Sequence, residues 1–276
     1  MKIIQGPLIT ILMLIVAINA VSQEKGQYTW NGHQCAVALT YDDGLNVHLD
    51  LVAPTLDSAG LKATFYIPGN ALSLRNRLND WRTLAKNGHE LGNHTLFHPC
   101  AGDLPGREWI NPDYDLSTYT MKRMLDEIRL ANTLLQSIDG RTKRTFAYTC
   151  GEEMVEGMSL NSEIAEDFVG ARGVVPKTME IGEVVMFDIG AFMVSGQTGE
   201  ALIAMVEKAR KDFSLIVFIF HGVGGEHAIN VDLAEHNKLL RYLKENERDI
   251  WVATMADIAE FVMAHQMSLE RLEGHE

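Results

Sequence analysis

The chain is short of positive charge, of cysteine and of long apolar runs, and each shortage removes a class of function. Its 276 residues carry 24 Lys and Arg against 37 Asp and Glu, a formal charge of −13. Such a surface repels anionic polymers, and no basic cluster interleaved with aromatics tracks a phosphate backbone, so nucleic acid is not an expected partner. The cysteines number 3, Cys35, Cys100 and Cys150, and none shows the CxxC spacing of a structural zinc site. With an odd count, a Cys100–Cys150 disulfide and buried free thiols both stay open. Prolines number only 7, and no Pro-rich, Gly/Ser-rich or acidic linker divides the chain, so one domain over residues 23–276 is expected.

The longest apolar run, Leu8 to Ala17, is shorter than the ~20 residues of an ordinary membrane span. It lies between Lys2 and the small residues Ala20 and Ser22, the order of a secretory signal peptide over residues 1–22. No cysteine there takes a lipid. Losing Lys2 would change the charge from −13 to −13 − 1 = −14. The expected product is exported, periplasmic or secreted, with no stable membrane anchor after cleavage; an uncleaved N-terminal anchor is the alternative.

What is present is a repeated alternation. Short runs rich in Val, Ile and Phe (36–41, 63–67, 90–92, 145–148, 170–174, 184–189, 215–220 and 250–253) alternate with amphipathic stretches. Those at 47–59, from 79 to 87, and at 119–138 end near glycine, the common helix stop; others cover 199–211, 231–246 and 255–266. This is the pattern of βα units and predicts an α/β fold, one closed or nearly closed (β/α) barrel of seven or eight parallel strands. The irregular stretch from Pro99 to Ser117 reads either as the wall or lid of a cleft or as a surface insertion.

The chemistry sits at the strand ends. Asp42 and Asp43 in TYDDG follow the first strand, His94 and His98 in HTLFH the third, Thr149 to Glu153 the fourth, and His221 the LIVFIF strand. In a parallel barrel these ends open on one face. One carboxylate and two imidazoles can hold a divalent ion of the zinc type with a position left for water, while the second carboxylate acts as a base. Gly44 permits the tight turn that lets the two carboxylates diverge. A helical turn across HTLFH would put both imidazoles on one face. Alone, TYDDG reads better as an Asp-Gly turn and HTLFH as two solvated or capping histidines; their coincidence at strand ends favours metal. His221 reads as a third ligand, a core histidine or a general acid, and the acid role supplies the proton that a leaving group needs. The glycines after it, Gly222, Gly224 and Gly225, do not form a dinucleotide fingerprint.

TYDDG, HTLFH and FIFHG, in that order with ATFYIPG after the first helix, resemble the polysaccharide deacetylases, also called NodB-homology proteins or family 4 carbohydrate esterases. The resemblance runs from about Cys35 to Phe261. It implies a distorted (β/α) barrel, NodB-like, that removes acetyl groups from a carbohydrate with a divalent metal, usually zinc. It also implies Asp42 as catalytic base, Asp43, His94 and His98 as metal ligands, His221 as catalytic acid, and the backbone N–H of Cys150 as oxyanion donor. The substrate would be an acetylated carbohydrate, N-acetylated chitin-like or peptidoglycan sugars or O-acetylated xylan, since both reactions share one tetrahedral step.

One departure stands out. Ala147 occupies the place of the arginine that orients the family's base, and Arg172 is a residue that could approach Asp42 instead. The family's motif of an Asp near a Trp is blurred as well. Asp188 in VVMFDIGAF is a candidate tuning residue, and Phe187 or Phe192 either replaces the aromatic wall or packs in the core. The missing arginine motivates a second reading, a catalytically impaired carbohydrate-binding relative. A third is a hydrolase of non-sugar C–N amide bonds on the same barrel.

Overall fold

A computed structural model describes residues 30–273; the expected signal peptide lies outside them. Eight parallel strands build one sheet: β1 (Cys35–Asp42), β2 (Thr64–Ile67), β3 (Glu90–Asn93), β4 (Phe146–Ala147), β5 (Ala171–Arg172), β6 (Phe192–Met193), β7 (Leu215–Phe220) and β8 (Ile250–Ala253). Their order is β5-β4-β3-β2-β1-β7-β6, with β8 beside β1. β1 is the hub: its first half pairs with β8, its second half with β2, and its other edge with β7. Six longer helices cover the sheet: α1 (Ala53–Ala59), α2 (Leu78–Lys86), α3 (Met121–Asp139), α4 (Gly199–Lys211), α5 (Leu233–Glu245) and α6 (Met255–Glu273). No helix among the described residues is long and apolar enough to cross a membrane.

Strand alternation sorts the residues between two cores. Ala36 and Ala38 of β1 join Tyr66, Ala147, Val217 and Ile219 in the barrel interior. Val37, Leu39 and Tyr41 instead pack under the helices with Ile216, Phe218 and Phe220. The period of two carries Asp42 onto the interior face, at the open end of β1.

The barrel is irregular where β5 should meet the far edge. Residues 184–189, read from sequence as a strand, are not one. Their backbone still bridges the gap: Ile189 N donates to Ala171 O at 3.0 Å, and Gly173 N donates to Ile189 O at 2.9 Å. The ladder proper moves on to β6, which pairs with β7. Val185 is 56 % exposed, so the apolar run that suggested a strand is not uniformly buried. Phe187 and Phe192 both pack against core clusters. At the opposite end β8 and the start of α6 wedge in beside β2. There the buried Glu90 carboxylate accepts from Thr64 Oγ1, Thr145 N and Oγ1, and Ala256 N at 2.7–2.9 Å. A carboxylate so enclosed is tolerated because its lone pairs are met by donors.

Behind β1, the fully buried His236 of α5 accepts a hydrogen bond from Tyr41 Oη at 2.8 Å, and its ring meets Phe220 edge-on. Burial depresses its pKa from 6.5 to about 4. The unfolded imidazole therefore takes a proton first as pH falls through 6.5, and folding stability declines from there towards pH 4. At pH 5 the loss should reach about 2 kcal/mol, from ~1.5 pH units at ~1.4 kcal/mol each. Denaturant melts at pH 8 and pH 5 measure it, and His236→Gln should flatten the difference by that amount.

Candidate active site

Asp42 ends β1 and Asp43 turns away in the left-handed region, φ 75°, followed by Gly44 at φ 60°. A Cβ on Gly44 would lie 2.9 Å from Ile67 Cγ2, so glycine is required for space as well as conformation. Adjacent carboxylates thus leave the strand in different directions. The HTLFH turn is not helical: Thr95 and His98 have φ of 62° and 55°. The residues are held by a side-chain scaffold instead. Asn93 Oδ1 accepts from Thr95 N at 2.8 Å, while its amide donates to Ile128 O and Asn132 on α3. This bend still brings the His94 and His98 rings to 4.7 Å, edge to face.

Asp43 Oδ1 lies 3.3 Å from His98 Nε2 and 3.7 Å from His94 Nε2. The ligand atoms of Asp43, His94 and His98 all fall within 4.8 Å of one another. Asp43 Oδ1 is buried without a hydrogen-bond partner, an orphaned anion that a cation would satisfy. The carbonyl of Ala147 can only accept, so the 2.9 Å contact assigns the proton of His94 to Nδ1 and frees Nε2 for a metal. Burial, aided by His98, pushes the His94 pKa down to about 4 against the pull of Asp42 and Asp43. A neutral imidazole is the form that ligates. The donor set fits a divalent ion of the zinc type. His98, Cys100 and Cys150 form a second close group, but its sulfurs are joined in a disulfide.

Asp42 is held from β5, the strand beside β4. Arg172 Nη2 donates to Asp42 Oδ2 at 2.5 Å, with both side chains buried. Arg172 and Ala147 are register partners on β5 and β4, so the arginine enters one strand over from the expected place. Its guanidinium also lies 5.0 Å above the Tyr66 ring. Burial alone would raise the Asp42 pKa; the Arg172 charge and hydrogen bond, with His94 and His221, hold it below the usual carboxylate range. Asp42 Oδ1 is left without a partner.

His221 follows β7. Its carbonyl accepts from Nε2 of buried His48 at 2.8 Å, and Glu226 ties the following loop to Asn46 and Val47. Burial lowers the His221 pKa, against the opposing carboxylates of Asp42 and Asp43. Its Nε2 is 3.9 Å from Asp43 Oδ2. A residue overlooked in the sequence, His227, reaches the same oxygen at 3.8 Å and stacks on His221 at 4.8 Å. The signal was the second histidine in HGVGGEH, six residues on. Cys150, at φ 54°, walls the cleft beside these residues, and Cys100 and Cys150 form the disulfide that the sequence left open, while Cys35 is buried and free.

The cleft holds about 520 Å³, and Arg107 and Trp109 of the 99–117 stretch line it, the wall reading of that segment. Asp188 does not line it. It abuts Gly173, the residue after Arg172, with Lys177 Nζ at 4.0 Å.

Residues 31–163 match the sequence model of the family described as Polysaccharide deacetylase. Among solved structures, a Mycobacterium smegmatis protein assigned to the polysaccharide deacetylases superposes with a TM-score of 0.60 at 17% identity, over 86% of this chain and 93% of that one. This chain has the polysaccharide deacetylase fold. The family 4 acetyl xylan esterase of Clostridium thermocellum, solved with a cobalt ion, gives 0.53 at 19% identity, over 82% of this chain and 91% of that one. In sequence, 92 residues are 36% identical to the peptidoglycan-N-acetylglucosamine deacetylase of Bacillus cereus, 32% of each chain. The curated relatives it matches are longer: it spans 5–32% of their length. Within the polysaccharide deacetylase fold, the four strand ends β1, β3, β4 and β7 deliver Asp42 and Asp43, the histidine pair, Cys150 and His221 to one mouth.

Proposed function

We propose that this chain is a divalent-metal hydrolase that removes acetyl groups from a carbohydrate, acting on N-acetyl groups of chitin-like or peptidoglycan sugars or on O-acetyl groups of xylan, in an exported location. The observation that carries the reading is the Asp43 Oδ1 atom, buried without a hydrogen-bond partner, within 3.3 and 3.7 Å of two imidazole nitrogens beside a second, unliganded aspartate.

Asp43, His94 and His98 would hold the ion, zinc in our reading, which when bound supplies Lewis-acid polarisation of the acetyl carbonyl and acidifies the attacking water. Asp42, kept ionised by Arg172, takes the proton from that water through its free Oδ1. The Cys150 N–H donates to the oxygen where negative charge develops. His221, whose backbone carbonyl accepts from His48, delivers a proton to the departing sugar nitrogen or oxygen. No covalent link to the protein is required. Asp188 makes no ion pair with His221 among the described residues, so in this scheme any tuning by it runs through the Arg172 strand. Because Arg172 supplies what Ala147 lacks, the motive for an impaired relative is removed.

The test is acetate release from acetylxylan, chitooligosaccharides and peptidoglycan, with chelator and after zinc is restored. We expect release on at least one substrate, abolished by chelator and recovered with metal. Glycan binding without turnover, unaltered by Asp42→Asn, would favour the impaired relative, and turnover confined to small cyclic amides the amidase.

A further inference from the structure

The Cys100–Cys150 disulfide joins the two loops on which the reaction depends. Cys100 lies two residues after the ligand His98, and its Sγ is 3.6 Å from His98 Nδ1. Cys150 forms part of the cleft wall and is a non-glycine residue at φ 54°, a backbone conformation that persists only where surrounding contacts enforce it. Non-covalent ties flank the same junction. Thr149 Oγ1 donates to Pro99 O at 2.6 Å, Ala101 N donates to Glu152 Oε2 at 2.7 Å, and Arg107 pairs with Glu152 at 3.0 Å. These ties act at residues 149 and 152. The side-chain hold on residue 150 itself is the sulfur–sulfur bond.

We propose that this disulfide is a positioning element of the deacetylation site, fixing the Cys150 amide and the His98 loop in their working geometry, so that reducing it suppresses turnover while the protein stays folded. The proposal rests on the function assigned above. The flanking ties keep the loops adjacent after the bond is cut, but the backbone of residue 150 regains the freedom to leave the left-handed region. The chemistry is thiol–disulfide exchange with a dithiol. Its thiolate attacks Cys150 Sγ, the half-buried sulfur, and expels Cys100 as a thiolate that takes up a proton. The second thiol then attacks the mixed disulfide and frees Cys150. Two electrons and two protons pass to the protein and the dithiol becomes a cyclic disulfide. Cys35 does not confuse the readout: it is fully buried, and burial pushes its thiol up to about 12.

The experiment compares oxidised protein, dithiothreitol-reduced protein, the Cys100→Ser/Cys150→Ser variant, and reduced protein reoxidised with glutathione disulfide. Loss of an oxyanion donor typically costs about 100-fold or more, so loosening one should lower kcat by at least about tenfold while KM moves by less than about threefold. Reoxidation restores the rate, and circular dichroism remains native throughout. A crosslink that only stabilises would lower the melting temperature and leave kcat unchanged below it, which overturns the proposal. Should the oxidised protein release no acetate from any substrate, the assigned function fails, and the positioning claim is then judged on zinc affinity by calorimetry. The serine variant is the one to use there, because freed thiols lying with His98 within 4.8 Å would themselves capture zinc. At least about tenfold weaker binding than wild type supports the claim, and equal binding refutes it.

Discussion

Asp43→Ala should remove tight zinc binding and acetate release together. The carboxylate has Nε2 atoms of four histidines, His94, His98, His221 and His227, within 3.9 Å. Without it the remaining imidazoles face one another with no anion to draw a cation in, and the ligand count falls from three to two. Zinc affinity should drop by more than about 100-fold by calorimetry, and turnover to background, since even outer-shell losses cost about 10–100-fold. His221→Ala separates the two effects. Its metal content should stay at the wild-type level while kcat falls by about 100-fold or more, the usual contribution of a positioned acid. Zinc retained by Asp43→Ala, or full turnover in His221→Ala, would mean that these roles are wrongly assigned.

The second large effect is expected at Arg172. With Arg172→Met the buried Asp42 keeps its charge without a partner, an arrangement that typically costs about 3–5 kcal/mol. The carboxyl can escape that cost by taking a proton. Burial is then opposed only by His94 and His221 and raises its pKa, so the base becomes ionised only at higher pH. Turnover should fall by about 100-fold at neutral pH and recover partly as pH rises, with the acid limb of the pH–rate profile displaced upward. Because Ala147 and Arg172 are register partners on adjacent parallel strands, Arg172→Ala combined with Ala147→Arg should regain part of both stability and rate. A single Arg172→Met that melts like wild type and keeps its pH profile would show that Asp42 does not depend on this guanidinium.

The parts of the fold legible in the sequence are those whose patterns are local. β1, β2, β7 and β8 occupy the apolar runs expected of them, and α4 spans Gly199–Lys211 as its periodicity predicts. Buried on both faces, long parallel strands leave continuous Val, Ile and Phe runs. β4 and β5 are two residues each and fill only part of the expected runs at 145–148 and 170–174; β6, equally short, leaves no period to read, and the run at 184–189 misled because its backbone bridges β5 without building a ladder. Asp42, Asp43, His94 and His98 were recognisable because each pair sits within five residues and directly after a strand. His227 and Trp109 were missed: their places in the cleft depend on loops whose conformation is set by distant contacts such as that of Glu226 with Val47.

Residue order alone determined the chemical inventory of this protein: which groups can ligate, accept a proton or give one, and that all of them leave the same end of a parallel sheet. Only the tertiary structure decided the partnerships. That Asp42 is held by Arg172, 130 positions away, and that Cys100 is bonded to Cys150, follow from strand register and loop closure. Those distances arise when the barrel closes and water leaves its mouth, so no short stretch of sequence encodes them.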